Sequence, residues 1–334
     1  VKFMNEKPIF ILGSHKSGTS LLRNLFDGHS ELWTNPIETH FFKHFGSWVD
    51  YEYHMRKPEQ YSNCEIKDKL IEVIKKINQR DNPLSDSQAK GLFDLERFYL
   101  KINDITEQNT KKELIKIYLN AIHYSIYGSE LNPNHRIVHK AVGLAEFAME
   151  LHQLFPNAKF VHIVRNPYSN IVSFRRFFTS GGTYPLLNRM ISSMRNNYYF
   201  LYKNRDLIPN YYIIRYEDLV QNFDKEIKKL CDFLDIKLED TLFQPTSAGK
   251  VWKGNSTTNQ KFKGINSSHL NVWKEKIHPI EVHYMNNNFN HVLRDFGYET
   301  FNTQKTKFLP APKESIIRYL YNRLYMVFNR FYDN

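Results

Sequence analysis

The strongest constraint on the fold is a short apolar strand that runs into a glycine-rich turn and then into a helix. The run from Ile9 to Leu12 is uninterruptedly apolar, as expected of a buried strand in a parallel sheet. Gly13 and Gly18 bracket the turn, and the apolar residues between 21 and 26 fall on one helical face. Backbone N–H groups and the positive end of the helix dipole converge at such a junction, so the turn predicts a site for phosphate or sulfate.

The position of the lysine distinguishes this turn from the common nucleotide-binding loop. A Walker A loop reads G-x-x-x-x-G-K-[ST], with its lysine directly after the second glycine. Here Thr19 occupies that position, and Lys16 lies two residues before Gly18. The pattern disfavours a P-loop kinase, which stays as one alternative, and a non-catalytic nucleotide-binding protein is the other.

Two further segments place polar residues directly after predicted strands. A strand near 159–164 ends in Arg165-Asn-Pro167, and Ser173 follows eight residues after the arginine. Proline suits the first turn of a helix, so Ser173 would lie about two turns further along it. Arginine offers a bidentate fork for a terminal phosphate, and serine adds a donor. A strand near 211–215 is followed by the segment Tyr216-Glu-Asp-Leu219.

In this order, the three motifs resemble those of sulfotransferases that use 3′-phosphoadenosine 5′-phosphosulfate (PAPS), over residues 8–219. The resemblance implies an α/β protein with a central, mainly parallel β-sheet flanked by helices, the P-loop NTPase-like sulfotransferase fold. It implies transfer of a sulfuryl group from PAPS to an acceptor hydroxyl by in-line displacement, without a metal, leaving 3′-phosphoadenosine 5′-phosphate (PAP). The residues that it assigns to the donor are His15, Lys16, Ser17, Gly18, Thr19, Ser20, Arg165, Ser173 and Tyr216.

The adenine platform is expected in a different part of the chain. Cytosolic members of the family carry a tryptophan where this chain has Leu21, so the stacking side chain must come from elsewhere. The stretch from Thr246 to Ser268 is rich in Lys, Gly, Asn, Ser and Thr and predicts a mobile loop. Trp252 and Phe262 in this stretch are the candidates for stacking. Lys261 and Lys263 are candidates for the 3′-phosphate, and Gly264 completes the predicted donor-binding set.

Two lysines are the candidate catalytic cations. Negative charge builds on the bridging oxygen as the S–O bond breaks, so Lys16 in the first loop would stabilise the transition state more than the ground state. Lys140 ends a predicted strand near 136–140. The resemblance makes Lys140 a candidate contact of the sulfuryl group.

The general base stays open among several residues. Val142 stands where cytosolic aryl and steroid enzymes carry a histidine, which directs attention to the segment from Asn35 to Phe42. That segment resembles the Glu-x-His-Phe-Phe region of heparan-sulfate-type enzymes, where the glutamate is the base. Glu38 is therefore the first candidate, and a structural ion pair with Lys16 or Lys140 is its other interpretation. The alternative bases are His40, His139 and His15.

Composition agrees with a polyanionic ligand. The formal net charge of +11 suits a multiply charged donor, and the chain has no zinc spacing or basic block that would favour nucleic acid.

Cys64 and Cys231 lie far apart, which predicts no disulfide framework and fits a reducing compartment. No run of about 18 apolar residues is present. We expect a cytoplasmic, bacterial enzyme, and a chain trimmed of an N-terminal anchor is the alternative.

The chain predicts one domain over residues 1–300, with a helical insertion at about 40–130 and helices near 66–77, 114–126, 185–204, 222–235 and 270–296. Residues 301–334 predict a linker and a C-terminal helix. The helix, at 313–332, is basic and amphipathic, so it can lie peripherally on a membrane or dock on the domain or on a second subunit. The acceptor is left open among carbohydrate, lipid, sterol and peptide.

Overall fold

A computed structural model describes residues 5–47, 60–79, 89–179, 187–254, 265 and 267–302. Its central sheet has five parallel strands in the order β2-β3-β1-β4-β5. The strands are β1 (Ile9–Gly13), β2 (Leu32–Thr34), β3 (Arg136–Lys140), β4 (Lys159–Val164) and β5 (Tyr211–Arg215). The predicted α/β fold and four of its strands are confirmed, whereas β2 was not predicted because three residues are too few to show a period.

Helices cover both faces of this sheet. Among the described residues they are α1 (Thr19–Leu25), α2 (Phe41–His44), α3 (Asn63–Gln79), α4 (Leu95–Ile102), α5 (Lys111–Tyr127), α6 (Ala148–Leu154), α7 (Pro167–Thr179), α8 (Leu187–Leu207), α9 (Tyr216–Gln221), α10 (Phe223–Leu234) and α11 (Pro279–Asp295). The helices predicted near 66–77, 114–126, 185–204 and 222–235 correspond to α3, α5, α8 and α10.

The helix predicted over 270–296 is interrupted. A 3₁₀ turn at Val272–Glu275 is separated from α11, which begins at Pro279. Proline has no N–H to donate to the preceding turn, so it starts a helix better than it continues one. His278 caps the new helix by accepting from the N–H of Ile280, and Glu281 accepts from the N–H of His278.

Successive side chains of β1 point to opposite faces of the sheet, and each face carries its own layer of the core. Ile9 and Ile11 pack on one face with α1 and α10, and Phe10 and Leu12 pack on the other with α3 to α6. A third cluster joins α7, α8 and α11 beside Val164 at the end of β4. Because all strands are parallel, the loops that follow β1, β3 and β4 meet at one edge of the sheet.

The prediction of a mobile loop from Thr246 to Ser268 is wrong for its first residues. Strands β6 (Thr246–Ser247) and β7 (Lys250–Val251) form an antiparallel hairpin. Asp27, which follows α1, holds this hairpin by accepting from Thr246 Oγ1 at 2.6 Å and from the N–H of Gly249 at 2.9 Å.

Some predictions lie outside the described residues. These are the predicted donor contacts Lys261, Phe262, Lys263 and Gly264, and the predicted helix at 313–332. Within the described part of the chain, every helix is too short or too polar to span a bilayer.

Candidate active site

The first loop, residues 14–18, connects β1 to α1 and needs glycine for a packing reason. Gly18 has φ of 107°, in the region that favours glycine, and a Cβ at this position would lie 2.5 Å from Cδ2 of Tyr216. The Tyr216 ring therefore packs directly against the loop backbone. Lys16 also has a positive φ, 60°, so the turn is held in a conformation that non-glycine residues seldom adopt.

Replacing Gly18 with alanine should therefore distort the loop. The left-handed backbone costs about 1–2 kcal/mol for alanine, and the contact with the Tyr216 ring adds to it. Gly91 is the matched control, since it has φ of +67° and no atom lies within 4 Å of the place that a Cβ would take there. We expect Gly18→Ala to lower both the melting temperature and the affinity for PAP, and Gly91→Ala to lower the melting temperature alone. Equal PAP affinity in the two variants would contradict the close packing.

The second loop and its helix hold the backbone of the first. Arg165 donates from Nη1 to the carbonyl of Lys16 at 2.7 Å. Asn170, fully buried on α7, donates from Nδ2 to the carbonyl of His15 at 2.7 Å and accepts from Ser14 Oγ at 2.9 Å. The two loops that were predicted to bind opposite ends of the donor are thus one connected unit.

Sequence reasoning did not identify Asn170. The available signal was a polar side chain followed along the helix by the buried apolar residues Ile171, Val172 and Phe174. A buried amide needs hydrogen-bond partners, and here they are main-chain and side-chain atoms of the first loop.

The third motif fixes the second loop. Glu217 accepts from the N–H of Asn166 at 3.0 Å and from the Tyr298 hydroxyl at 2.8 Å. The Tyr198 hydroxyl donates to the carbonyl of Arg165 at 3.0 Å. The Arg165 guanidinium lies 4.7 Å from the centre of the Tyr216 ring, in cation–π contact. The backbone of Arg165 is therefore held from α8, and its side chain contacts α9.

Glu38 and Lys140 form an ion pair beside α1. The Lys140 ammonium donates to Glu38 Oε1 and, at 3.2 Å, to the hydroxyl of Ser20. Glu38 Oε2 accepts from the N–H of Val142 at 2.9 Å and lies 3.5 Å from Nε2 of His40. The Lys140 side chain is 2% exposed and that of Glu38 20%, so the carboxylate is the solvent-facing member. Of the two partners predicted for a Glu38 ion pair, the structure brings Lys140 to the carboxylate.

His139, an alternative base, is not placed for proton transfer. It is fully buried on the opposite face of β3 from Lys140, where Nδ1 accepts from Asn35 Nδ2 and Nε2 donates to Thr39 Oγ1, both at 3.1 Å. Burial, together with nearby positive charges, lowers the pKa of His139 to about 3, so the ring is neutral at physiological pH. Its two bonds tie down both ends of the segment that carries Glu38.

The remaining predicted side chains occupy different surroundings. His40 is exposed beside Glu38, and His15 stacks on Phe174 with ring centres 4.8 Å apart. Ser173 is half-buried on α7. Trp252 is 5% exposed and packs in the core layer that contains α1 and α10, which leaves little of the indole accessible to a stacked base. Adenine stacking by Trp252 stays a prediction without support from its packing.

The described residues contain no group of three or more His, Cys, Asp or Glu side chains placed to hold a metal ion. At the sheet edge, a lysine and an arginine lie on two connected loops, with a lysine–glutamate pair next to them.

Comparison with known proteins identifies this arrangement. A model of the sulfotransferase family matches residues 8–240, about two thirds of the chain. The chain belongs to the sulfotransferase family. The family predicted from the three loop motifs is therefore confirmed, and the matched region contains both loops, Lys140 and Glu38. No curated protein sequence matches this sulfotransferase.

Solved structures of other sulfotransferases share the fold. The sulfotransferase domain from the curacin biosynthetic pathway aligns with a TM-score of 0.55 and 21% identity, over 88% of this chain and 98% of that domain. The sulfotransferase domain from the Synechococcus PCC 7002 olefin synthase aligns with a TM-score of 0.55 and 19% identity, over 89% of this chain and 96% of that domain. These similarities establish the sulfotransferase fold for this chain.

Proposed function

We propose that this sulfotransferase transfers the sulfuryl group of PAPS to a hydroxyl group of an acceptor. The observation that carries the proposal is the connection between the two basic loops. PAPS is anionic at two ends, a 5′-phosphosulfate and a 3′-phosphate, and Lys16 and Arg165 lie on loops joined by the bonds of Arg165 and Asn170 to the first loop. A ligand charged at only one end would use only one of these loops.

The reaction is an in-line displacement at sulfur. The acceptor oxygen forms the new S–O bond while the bridging S–O bond breaks, and PAP leaves with the electron pair of that bond. Lys16 would stabilise the charge that builds on the bridging oxygen, because such charge is larger in the transition state than in bound PAPS. The acceptor proton passes to Glu38.

The surroundings of Glu38 fit the role of a base. One oxygen is held by Lys140, and the other by the N–H of Val142, so the carboxylate has a fixed direction. Its exposed fraction of 20% leaves it accessible to an acceptor. Lys140 can contact the sulfuryl oxygens while it holds Glu38, since it lies between this carboxylate and Ser20 at the start of α1. His40, 3.5 Å away, can receive the proton from Glu38 and pass it to solvent.

The donor class is tested by calorimetric binding of PAP, AMP and ATP. AMP lacks only the 3′-phosphate of PAP. A charge-assisted hydrogen bond contributes about 1.5–3 kcal/mol, so we expect PAP to bind roughly 10–100-fold more tightly than AMP. Arg165→Ala should remove most of this difference, whereas Arg205→Ala, at an exposed arginine paired with Asp206, should preserve it. Tighter binding of ATP than of PAP would reject the proposal in favour of a kinase-like activity.

A further inference from the structure

The peptide bond between Arg165 and Asn166 is held at both of its edges. Tyr198 on α8 donates its hydroxyl to the carbonyl of Arg165 at 3.0 Å. Glu217 on α9 accepts from the N–H of Asn166, also at 3.0 Å. Because a peptide unit is planar, bonds to its carbonyl and to its N–H together fix the orientation of the whole plane. The direction in which the Arg165 side chain leaves the backbone is therefore constrained from two helices.

Tyr298 holds the carboxylate that makes one of these two bonds. Its hydroxyl donates to Glu217 Oε2 at 2.8 Å, while Oε1 of the same carboxylate accepts from the N–H of Asn166. Tyr298 follows α11 and lies beyond residue 240, where the match to the family model ends. A residue outside the matched region thus supports the loop between β4 and α7.

A second contact joins the same part of the chain to the start of α7. The N–H of Phe301 donates to the hydroxyl of Tyr168 at 3.0 Å, and this hydroxyl donates to Asn286 on α11. The N–H of Tyr168 in turn donates to Oδ1 of Asn166 at 3.0 Å. Residues 298–301 are therefore connected to the loop between β4 and α7 through two separate sets of hydrogen bonds.

Both phenols that hold the peptide are buried. Tyr298 is 7% exposed and Tyr198 is 3% exposed. Burial raises the pKa of each phenol above its ordinary value, so each hydroxyl stays a donor at physiological pH. Both rings also pack in the core cluster that joins α7, α8 and α11. Phenylalanine at either position would keep this packing and remove the hydroxyl alone.

We infer that Tyr198 and Tyr298 are positioning residues that make the enzyme selective for a 3′-phosphorylated nucleotide, and that they act through the peptide that carries Arg165. A guanidinium holds its N–H donors in one plane, so the direction of that plane decides how many of them meet a phosphate. Arg165 already donates to the carbonyl of Lys16, which makes its direction matter for both loops. Their role rests on the proposed function, because Arg165 is assigned to the 3′-phosphate there.

The test compares calorimetric binding of PAP and of AMP, which lacks only the 3′-phosphate, in the wild type and in Tyr298→Phe. We expect the variant to bind PAP about three- to tenfold more weakly and AMP as before, so the ratio of the two affinities falls by that factor. The control is Tyr202→Phe on α8, which removes a hydroxyl that donates to the carboxylate of Asp295 at 3.0 Å. It should leave the ratio as in the wild type.

Two further variants separate positioning from a general effect on stability. Tyr198→Phe frees the other edge of the same peptide, so it should lower the ratio in the same direction. In a chain that already carries Arg165→Ala, Tyr298→Phe should not lower the ratio further, since the side chain through which it acts is gone. If Tyr298 acted independently of Arg165, the ratio would fall by the same factor again.

The outcomes for the positioning role and for the donor class are distinguishable. A wild-type ratio in Tyr298→Phe, or an equal loss of affinity for PAP and AMP, overturns the positioning role and leaves the donor assignment intact. If a thermal melt shows that Tyr298→Phe does not fold, Tyr198→Phe decides, and a wild-type ratio there overturns the role as well. Failure of the wild-type enzyme to prefer PAP over AMP is a different result, which rejects the proposed function.

Discussion

Glu38→Gln should lower turnover by about 10²–10⁴-fold while PAP affinity stays close to that of the wild type. The glutamine keeps the shape of the side chain and one acceptor oxygen, so it retains the bond from Lys140, while its NH2 replaces the oxygen that accepts from the N–H of Val142. What it loses is the ability to take the acceptor proton. Loss of a base affects the transition state and not the ground state, so kcat and kcat/KM should fall together.

The measurement pairs steady-state kinetics with calorimetry of PAP and a thermal melt. The alternative for Glu38 is a purely structural anion that holds Lys140 in place. In that case Glu38→Gln would lower PAP affinity along with turnover, or would leave turnover unchanged. A Glu38→Asp variant adds a second comparison, since it keeps a carboxylate on a side chain that is shorter by one methylene. If Glu38 is the base, the Glu38→Asp enzyme should retain part of the wild-type turnover.

The parallel sheet was predictable because its strands carry strong local signals. β1, β4 and β5 are rich in apolar residues, and each is followed by a polar motif that marks the carboxyl end of a strand. β3 contains the apolar pair Ile137 and Val138 and ends in Lys140. The short β2 carries no such period and is defined by pairing with Arg136 to Val138 on β3. Its existence depends on a partner that lies over a hundred residues away, which local sequence does not encode.

The candidate site was predictable in its residue types but not in its pairings. Lys16, Arg165, Lys140 and Glu38 were all named from the motifs. That Arg165 would donate to the carbonyl of Lys16 was not foreseen, because main-chain atoms accept hydrogen bonds regardless of residue type and leave no trace in the sequence.

The roles of two buried polar residues could not be predicted from the sequence either. Asn170 reads in the sequence as an ordinary helix position, yet it joins the two loops. His139 reads as an alternative base, yet it anchors the segment that carries Glu38. Both roles depend on full burial, which removes water as a partner and makes the bonds to neighbouring segments obligatory. Burial of these polar residues among apolar neighbours is set by the tertiary fold.

Lys140→Met should produce the largest loss of stability. The Lys140 side chain is 2% exposed, and Lys140→Met deprives Glu38 of its paired ammonium and removes one hydrogen bond to Ser20. Breaking a buried ion pair by deleting one member costs about 3–5 kcal/mol. The 20% exposure of the Glu38 side chain lets water solvate the carboxylate, which places the expected loss near the lower end of that range. Urea unfolding followed by circular dichroism measures it.

The double variant Glu38→Gln, Lys140→Met separates pairing from packing. If the cost of Lys140→Met arises from an uncompensated charge, replacing Glu38 as well should recover part of it, and the two changes will be less destabilising together than their sum. Lys111→Met is the control, because Lys111 and Glu150 form an exposed pair that should contribute no more than about 1 kcal/mol. Strict additivity in the double variant would mean that Lys140 stabilises the site through its methylene packing, and the assignment of Lys140 as the partner that orients the base would then be wrong.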